Sequence, residues 1–329
     1  MNASLDLSRW REAPRGVGYR RRVMVEAGLR QLLQLRIFKV LLSVAWSAGF
    51  ALAVLGFVFA QSVSAGGWVE SIAEYFGPRG LAMAKALTAL VMLYPDVCIE
   101  GWFTLLFWAH SFVGLMLSLV ALTTMVPRLI TLDRATNALT VYLSRPLTST
   151  DYLLGKLGLI FAVLALMWTG PLLFGWVLSV GFAPSTDFIV YSFGPLLRAL
   201  TFHAIGVVTL ASIALGVSAS VRTSRAATIV WIGLWLIFGA IANPPRTPDW
   251  LKRTSFSHNL GEVRQGVFRL DRALALASES LPILDKNLTR NMAGAGARAK
   301  PADFPGALGS LAVFVAAASF VFLRRLRPE

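Results

Sequence analysis

The sequence predicts an all-α, polytopic membrane protein with six spans, on three observations. Hydrophobic residues fill 56% of the 329 positions and charged residues only 15%, against about 25% charged in a soluble domain. The charges are gathered into blocks, which leaves six runs without Asp, Glu, Lys or Arg: Val40–Val69, Gly101–Pro127, Leu157–Thr186, Ala199–Val221, Ala226–Pro245 and Phe304–Leu323. Basic residues crowd alternate ends of those runs. A spanning helix needs about 20 mostly apolar residues. Lipid offers the backbone no hydrogen-bond partner, so each run is expected to be helical.

Residues 1–39 form the first region and carry Arg9, Arg11, Arg15, Arg20, Arg21, Arg22, Arg30, Arg36 and Lys39. From Tyr19 to Lys39 basic and apolar residues alternate, with Leu29, Leu32 and Leu33 near helical spacing. This predicts an amphipathic helix lying on the membrane surface ahead of the first span. Residues 40–245 hold spans one to five. Six spans put both termini on one side, together with Arg128, Arg134, Arg145, Lys156, Arg222 and Arg225 of the short loops and Arg324, Arg325 and Arg327 of the tail. The positive-inside rule makes that side cytoplasmic, in a plasma or bacterial inner membrane. The net charge of +14 therefore fits orientation and anionic lipid better than nucleic acid.

On the other face, Gly80–Tyr94 reads as a short interfacial helix or a re-entrant turn. Residues 246–303 form the large outer loop. It is basic, with ten Lys or Arg between Arg246 and Lys300, which runs against the charge rule for short loops. Within it Val263, Val267, Leu270, Leu274, Ala277 and Leu281 fall on one helical stripe. That stripe needs an apolar partner: a second copy, the membrane surface or the top of the bundle. Its charge otherwise suits solvent, an anionic substrate or a periplasmic partner. Residues 304–329 form the sixth span and the tail.

The polar island from Asp133 to Lys156, inside the loop 128–156, is the densest pattern in the chain. Asp133 suits the positive end of a short helix. Ser144-Arg145-Pro146 breaks that helix, because proline disfavours a helical residue before it. Ser149 or Thr150 is placed to cap the next helix, with Asp151 in its first turn. The expected element is a helix, a break and a second helix across the cytoplasmic surface.

Elsewhere the ionisable groups are sparse. His110 and His203 lie within spans, where a functional role is the default and a structural hydrogen bond the plainer reading. Arg198 is expected to snorkel to headgroups or to line a passage, and Asp96 and Glu100 to anchor an interface. Ser212, Gly216 and Ser220 permit a close helix contact, within the chain or between subunits. The single cysteine, Cys98, excludes an intrachain disulfide, and no clustered ligands point to a metal. The chain has no Gly-x-x-x-x-Gly-Lys-Ser/Thr phosphate loop and no catalytic set of side chains, so no enzyme activity of its own is expected.

Asp133, Arg134, Leu139, Leu143, Ser144, Arg145, Pro146, Tyr152, Leu153, Leu154, Gly155 and Lys156 resemble the signature of ABC-2 type transporter permeases, the membrane subunits of ATP-driven exporters. Asn137 and Ala138 depart from it, where glycine and threonine are usual. The resemblance implies an ABC-2 permease fold and a loop between spans two and three that docks on a cytoplasmic ABC ATPase. It implies that Asp133, Arg134, Leu139, Arg145 and Pro146 shape the docking surface, while Gly155 and Lys156 set the start of span three. ATP and Mg would be bound by the partner ATPase, with no cofactor on this chain, and a second permease copy would complete the transporter. A non-transporting scaffold or sensor that recruits an ATPase, and a secondary transporter, are the alternatives.

Overall fold

The computed structural model describes residues 16–63, 68–136, 148–242, 244, 246–270, 272–273 and 303–325. Among the described residues every regular element is a helix. The chain opens with α1 (Val17–Gln34) and α2 (Arg36–Ser62), separated by one extended residue, Leu35. A helical hairpin follows, α3 (Trp68–Tyr75) and α4 (Gly77–Leu93). The turn between them needs glycine, because Gly77 has φ +77°. Next come α5 (Pro95–Leu129) and the short α6 (Thr131–Ala135). Then α7 (Ser149–Leu164) runs through a π turn at Ala165–Thr169 into α8 (Gly170–Gly181). The long α9 (Asp187–Ser220) precedes α10 (Ser224–Ile232), a second π turn at Gly233–Ile237 and α11 (Phe238–Ala242). The last elements are α12 (Asp249–Lys252), α13 (Phe256–Phe268) and α14 (Phe304–Arg325).

Six helices are long and apolar enough to cross a membrane: Arg36–Ser62, Pro95–Ala135, Thr150–Gly181, Asp187–Ser220, Ser224–Ala242 and Phe304–Arg325. All six expected runs are among them, with shifted limits. All but the sixth begin earlier than their charge-free runs, and in the second and fourth the charges that lie inside the helix offset each other. Arg198 of α9 pairs with Glu100 of α5, and its Nη1 lies 3.5 Å from Thr104 Oγ1. The charges that ended each run in the sequence thus neutralise each other between two helices, which remain helical past them. Arg198 and Glu100, expected separately at a headgroup or passage and at an interface, are thus each other's partner.

The centre of the bundle is built by close approach. Trp168, fully buried in the π turn of the third span, is slotted between Gly114 of α5 and Gly206 of α9. A Cβ at Gly206 would stand 2.7 Å from the indole. Phe202 packs edge-on to that indole at 5.4 Å and His203 lies 4.3 Å from it. The wide turn also leaves the Leu166 carbonyl to accept from Trp46 Nε1 at 3.1 Å. On the facing side, α2 and α8 meet through Gly49 and Gly175, where added Cβ atoms would sit 2.6–2.7 Å from backbone oxygens. Gly216 meets Ala318 of α14 at a similar distance, 2.8 Å. The small-residue stripe of the fourth span therefore serves contact within the chain.

Of the partners expected for the apolar stripe of the outer loop, the bundle is the one that its described part meets. Phe256, Leu260, Val263 and Phe268 of α13 are all at most 1% exposed. The Phe256 ring lies 6.1 Å from Trp231 and 6.3 Å from Phe314, which is halfway along α14. Phe268 reaches Phe202, near the middle of α9, at 6.3 Å. This part of the loop is a helix lodged among the spans, not a solvated cover. It also stops short of the expected stripe: Arg269 adopts the left-handed conformation (φ 49°) and closes α13. Leu274, Ala277 and Leu281 lie outside the described residues.

Candidate functional site

The site expected between the second and third spans is described at both of its ends. Leu139, Arg145 and Pro146 lie outside the described residues; Asp133, Arg134, Gly155 and Lys156 lie within them. The outgoing end is α6. Ser218 of α9 accepts from the Ile130 backbone N–H through its Oγ at 2.9 Å, and its carbonyl accepts from Thr131 Oγ1, also at 2.9 Å. Arg134 Nη1 donates to the carbonyls of Ala219 and Val221 at 3.3 and 3.4 Å. The last carbonyls of a helix have no partner inside it, and they sit at the negative end of its dipole. Arg134 meets both needs for α9.

The returning end is α7. Its N-cap is Thr148, one residue before Ser149 and two before Thr150, the expected caps. Asp151 N donates to Thr148 Oγ1 at 3.2 Å, and Thr148 N donates back to Asp151 Oδ2 at 3.2 Å, which completes a capping box. Arg21 of α1 then pairs with Asp151 Oδ1, its Nε at 3.1 Å. Gly155 and Gly158 open the same face: an added Cβ at Gly158 would stand 2.9 Å from Val25, and one at Gly155 would strike Met24. Gly155 thus acts by admitting α1.

The two ends are joined by Lys156 and Asp133, at 2.6 Å with side chains only 14% and 15% exposed. Tyr152 Oη donates to Asp133 Oδ2 at 2.7 Å, and Lys156 Nζ stands 5.4 Å over the Tyr152 ring. The carboxylate therefore holds one ammonium and one hydroxyl in a nearly enclosed place. A cavity of about 270 Å³ opens beside them, bounded by Gly28, Leu32, Arg128, Leu132, Thr136 and Lys156. Asp133 and Arg134, expected on a docking surface, are engaged inside the chain as braces. Thr131, Ser218 and Thr148 were not singled out in the sequence, and Arg21 was read only as one basic residue of the first region. Thr148 carries a local signal, since it stands three residues before Asp151; Thr131 and Ser218 are joined only by the fold.

The two ends together form a junction: α6 follows α5 and meets α9 through Ser218, and α7, closed by its capping box, meets α1 through Arg21.

Of the two buried histidines, His203 has hydrogen-bonding neighbours. His203 lies 3.3 Å from Ser111 Oγ through Nε2 and 3.4 Å from Thr169 Oγ1 through Nδ1. His110 Nδ1 has no hydrogen-bond partner. No group of three or more His, Cys, Asp or Glu able to hold a metal occurs among the described residues.

The fold and this junction define an all-α membrane protein of the multi-pass class. No family model, no curated protein and no solved structure matches the chain.

Proposed function

We propose that this chain is the membrane-spanning permease subunit of an ATP-driven exporter of the ABC-2 type. The observation that carries the reading is the braced junction. Residues 137–147, which contain the Leu-Ser-Arg-Pro part of the signature, lie in the sequence between two ends that are each anchored to neighbouring helices. That is the construction a partner would use to drive the spans from outside the membrane. The engine is a separate ABC ATPase, which binds ATP and Mg; this chain supplies the lever. Nucleotide-driven approach of two ATPase subunits would push the two levers of a permease pair and reopen a path between them, a two-state switch powered by differential contacts. The termini and the junction would face the cytoplasm, in a plasma or bacterial inner membrane.

The test is purification of the full chain from its own membranes in a mild detergent. A nucleotide-hydrolysing subunit with a Gly-x-x-x-x-Gly-Lys loop should co-purify in stoichiometric amount. Arg145→Ala should reduce its recovery about tenfold or more, the effect of losing one charged contact of roughly 1.5–3 kcal/mol. Full recovery with Arg145→Ala, or a preparation free of any ATPase, would refute the reading.

A further inference from the structure

Arg264 enters the bundle with no acid beside it among the described residues. Arg264 lies on α13, with its guanidinium carbon 4.5 Å from the ring centroid of Trp108 and 4.9 Å from that of Phe112. Both rings belong to α5, inside its charge-free run. Arg264 Nε and Nη1 are buried and have no hydrogen-bond partner. The neighbouring acid on α13 is engaged elsewhere: Glu262 faces His258 at 3.9 Å and accepts from the Asp303 backbone N–H at 3.1 Å. Burial pulls Arg264 down to about 10, so it remains charged at neutral pH.

Two aromatic faces offset part of the cost of that charge. They satisfy none of its N–H groups. A buried guanidinium with unused donors is expensive, and a planar two-oxygen acid fits its fork.

The surroundings narrow the acid. Leu105, Trp108 and Phe112 share one face of α5, at spacings of three and four residues. Leu105 is 40% exposed and Phe112 48% exposed, beside Val113 at 37%. This face looks outward from a helix that crosses the membrane, so its solvent is acyl chain. An occupant needs an anionic head at Arg264 and an apolar body along α5. Soluble phosphate meets only the first need.

We propose that Arg264, Trp108 and Phe112 form a seat for the phosphate of an acidic phospholipid, whose acyl chain lies along the Leu105–Phe112 face. The seat is independent of the junction at Asp133–Lys156, and its test does not involve an ATPase.

The test uses the purified full chain in neutral detergent with brominated lipids, which quench nearby indoles. The Trp108 signal is isolated as the difference between the wild type and Trp108→Phe. Brominated phosphatidylglycerol should quench it at about a tenfold lower mole fraction than brominated phosphatidylcholine, the effect of one charge-assisted contact. Arg264→Gln should abolish the difference, and Arg264→Lys should retain part of it. Equal quenching by both lipids in the wild type would overturn the proposal with no variant needed. So would an unchanged preference in a monodisperse Arg264→Gln protein, which would mean that a carboxylate of the chain itself neutralises the guanidinium. Displacement of the lipid by millimolar inorganic phosphate would overturn the lipid assignment in favour of a soluble anion.

Discussion

Trp168 shows how much of the bundle rests on single positions. Its indole has no free side, because Gly114 and Gly206 are its walls. Gly206→Ala places a methyl group within contact of a ring that cannot retreat, and overpacking of this kind costs about 1–3 kcal/mol. The expected outcome is a lower melting temperature in detergent, partly restored by Trp168→Phe, which removes the overlapping ring. His258 supplies a second test. Burial is the largest influence on it and pushes it below its ordinary 6.5, while Glu262 and Asp249 pull it up and Lys252 pushes it further down. The folded chain then binds this proton less readily than the unfolded chain, so stability is present above 6.5 and is lost as pH falls toward the folded value. The melting temperature should decline as pH is lowered from 7 through that range, and His258→Gln should flatten the decline.

At the scale of elements, the pair that joins α6 to α7 is the most exacting. Removing one member of a nearly enclosed ion pair leaves the other unpaired, at a cost of about 3–5 kcal/mol. Asp133→Ala and Lys156→Ala should each lower the melting temperature, and the double variant should be less destabilised than the sum of the two, which a double-mutant cycle measures. The intrusion of α13 is tested by labelling in a Cys98→Ser background. A cysteine replacing Trp250, which is 70% exposed, should react quickly with a water-soluble maleimide, while one replacing Leu260, which is fully buried, should resist it. These two elements also mark what was legible in the sequence. Of the helix, break and helix expected across the Asp133–Lys156 island, the second helix was legible through its capping acid Asp151, while the break at Pro146 lies outside the described residues. The pairing of its two ends joins residues far apart in the chain and left no local trace. Within α13 the apolar stripe from Phe256 to Phe268 was partly visible, but His258, Glu262 and Arg264 gave the segment the composition of a solvated loop. Only the packing of Phe256 against Trp231 and Phe314 shows its depth.

For the whole molecule, the six spans were readable because hydrocarbon tolerates so few charges, and each run of about 20 apolar residues had one structural solution. Which spans stand at the centre was not readable, because buried and lipid-facing helices share one composition. The second and fourth are the hub, 56% and 61% buried over their apolar windows, whereas the fifth and sixth are 17% buried. Truncating Leu119 or Leu122 of α5, both fully buried, should therefore cost about 2–5 kcal/mol. Truncating Leu236 or Ile237, 52% and 58% exposed, should stay within about 0.5 kcal/mol; thermal unfolding distinguishes the two pairs. The π turn at Ala165–Thr169 has a consequence of its own. It winds one surplus residue into the third span and so sets the rotational phase between that span's halves. The lower half is keyed to α1 and α6 by Asp151 and Lys156, and the upper half to α2 by Gly175 and Ser179. Deleting the surplus residue would turn one half against the other by about 100° and 1.5 Å, so the π turn, locked by the buried Trp168, is what keeps the contacts at the two ends of this span in register.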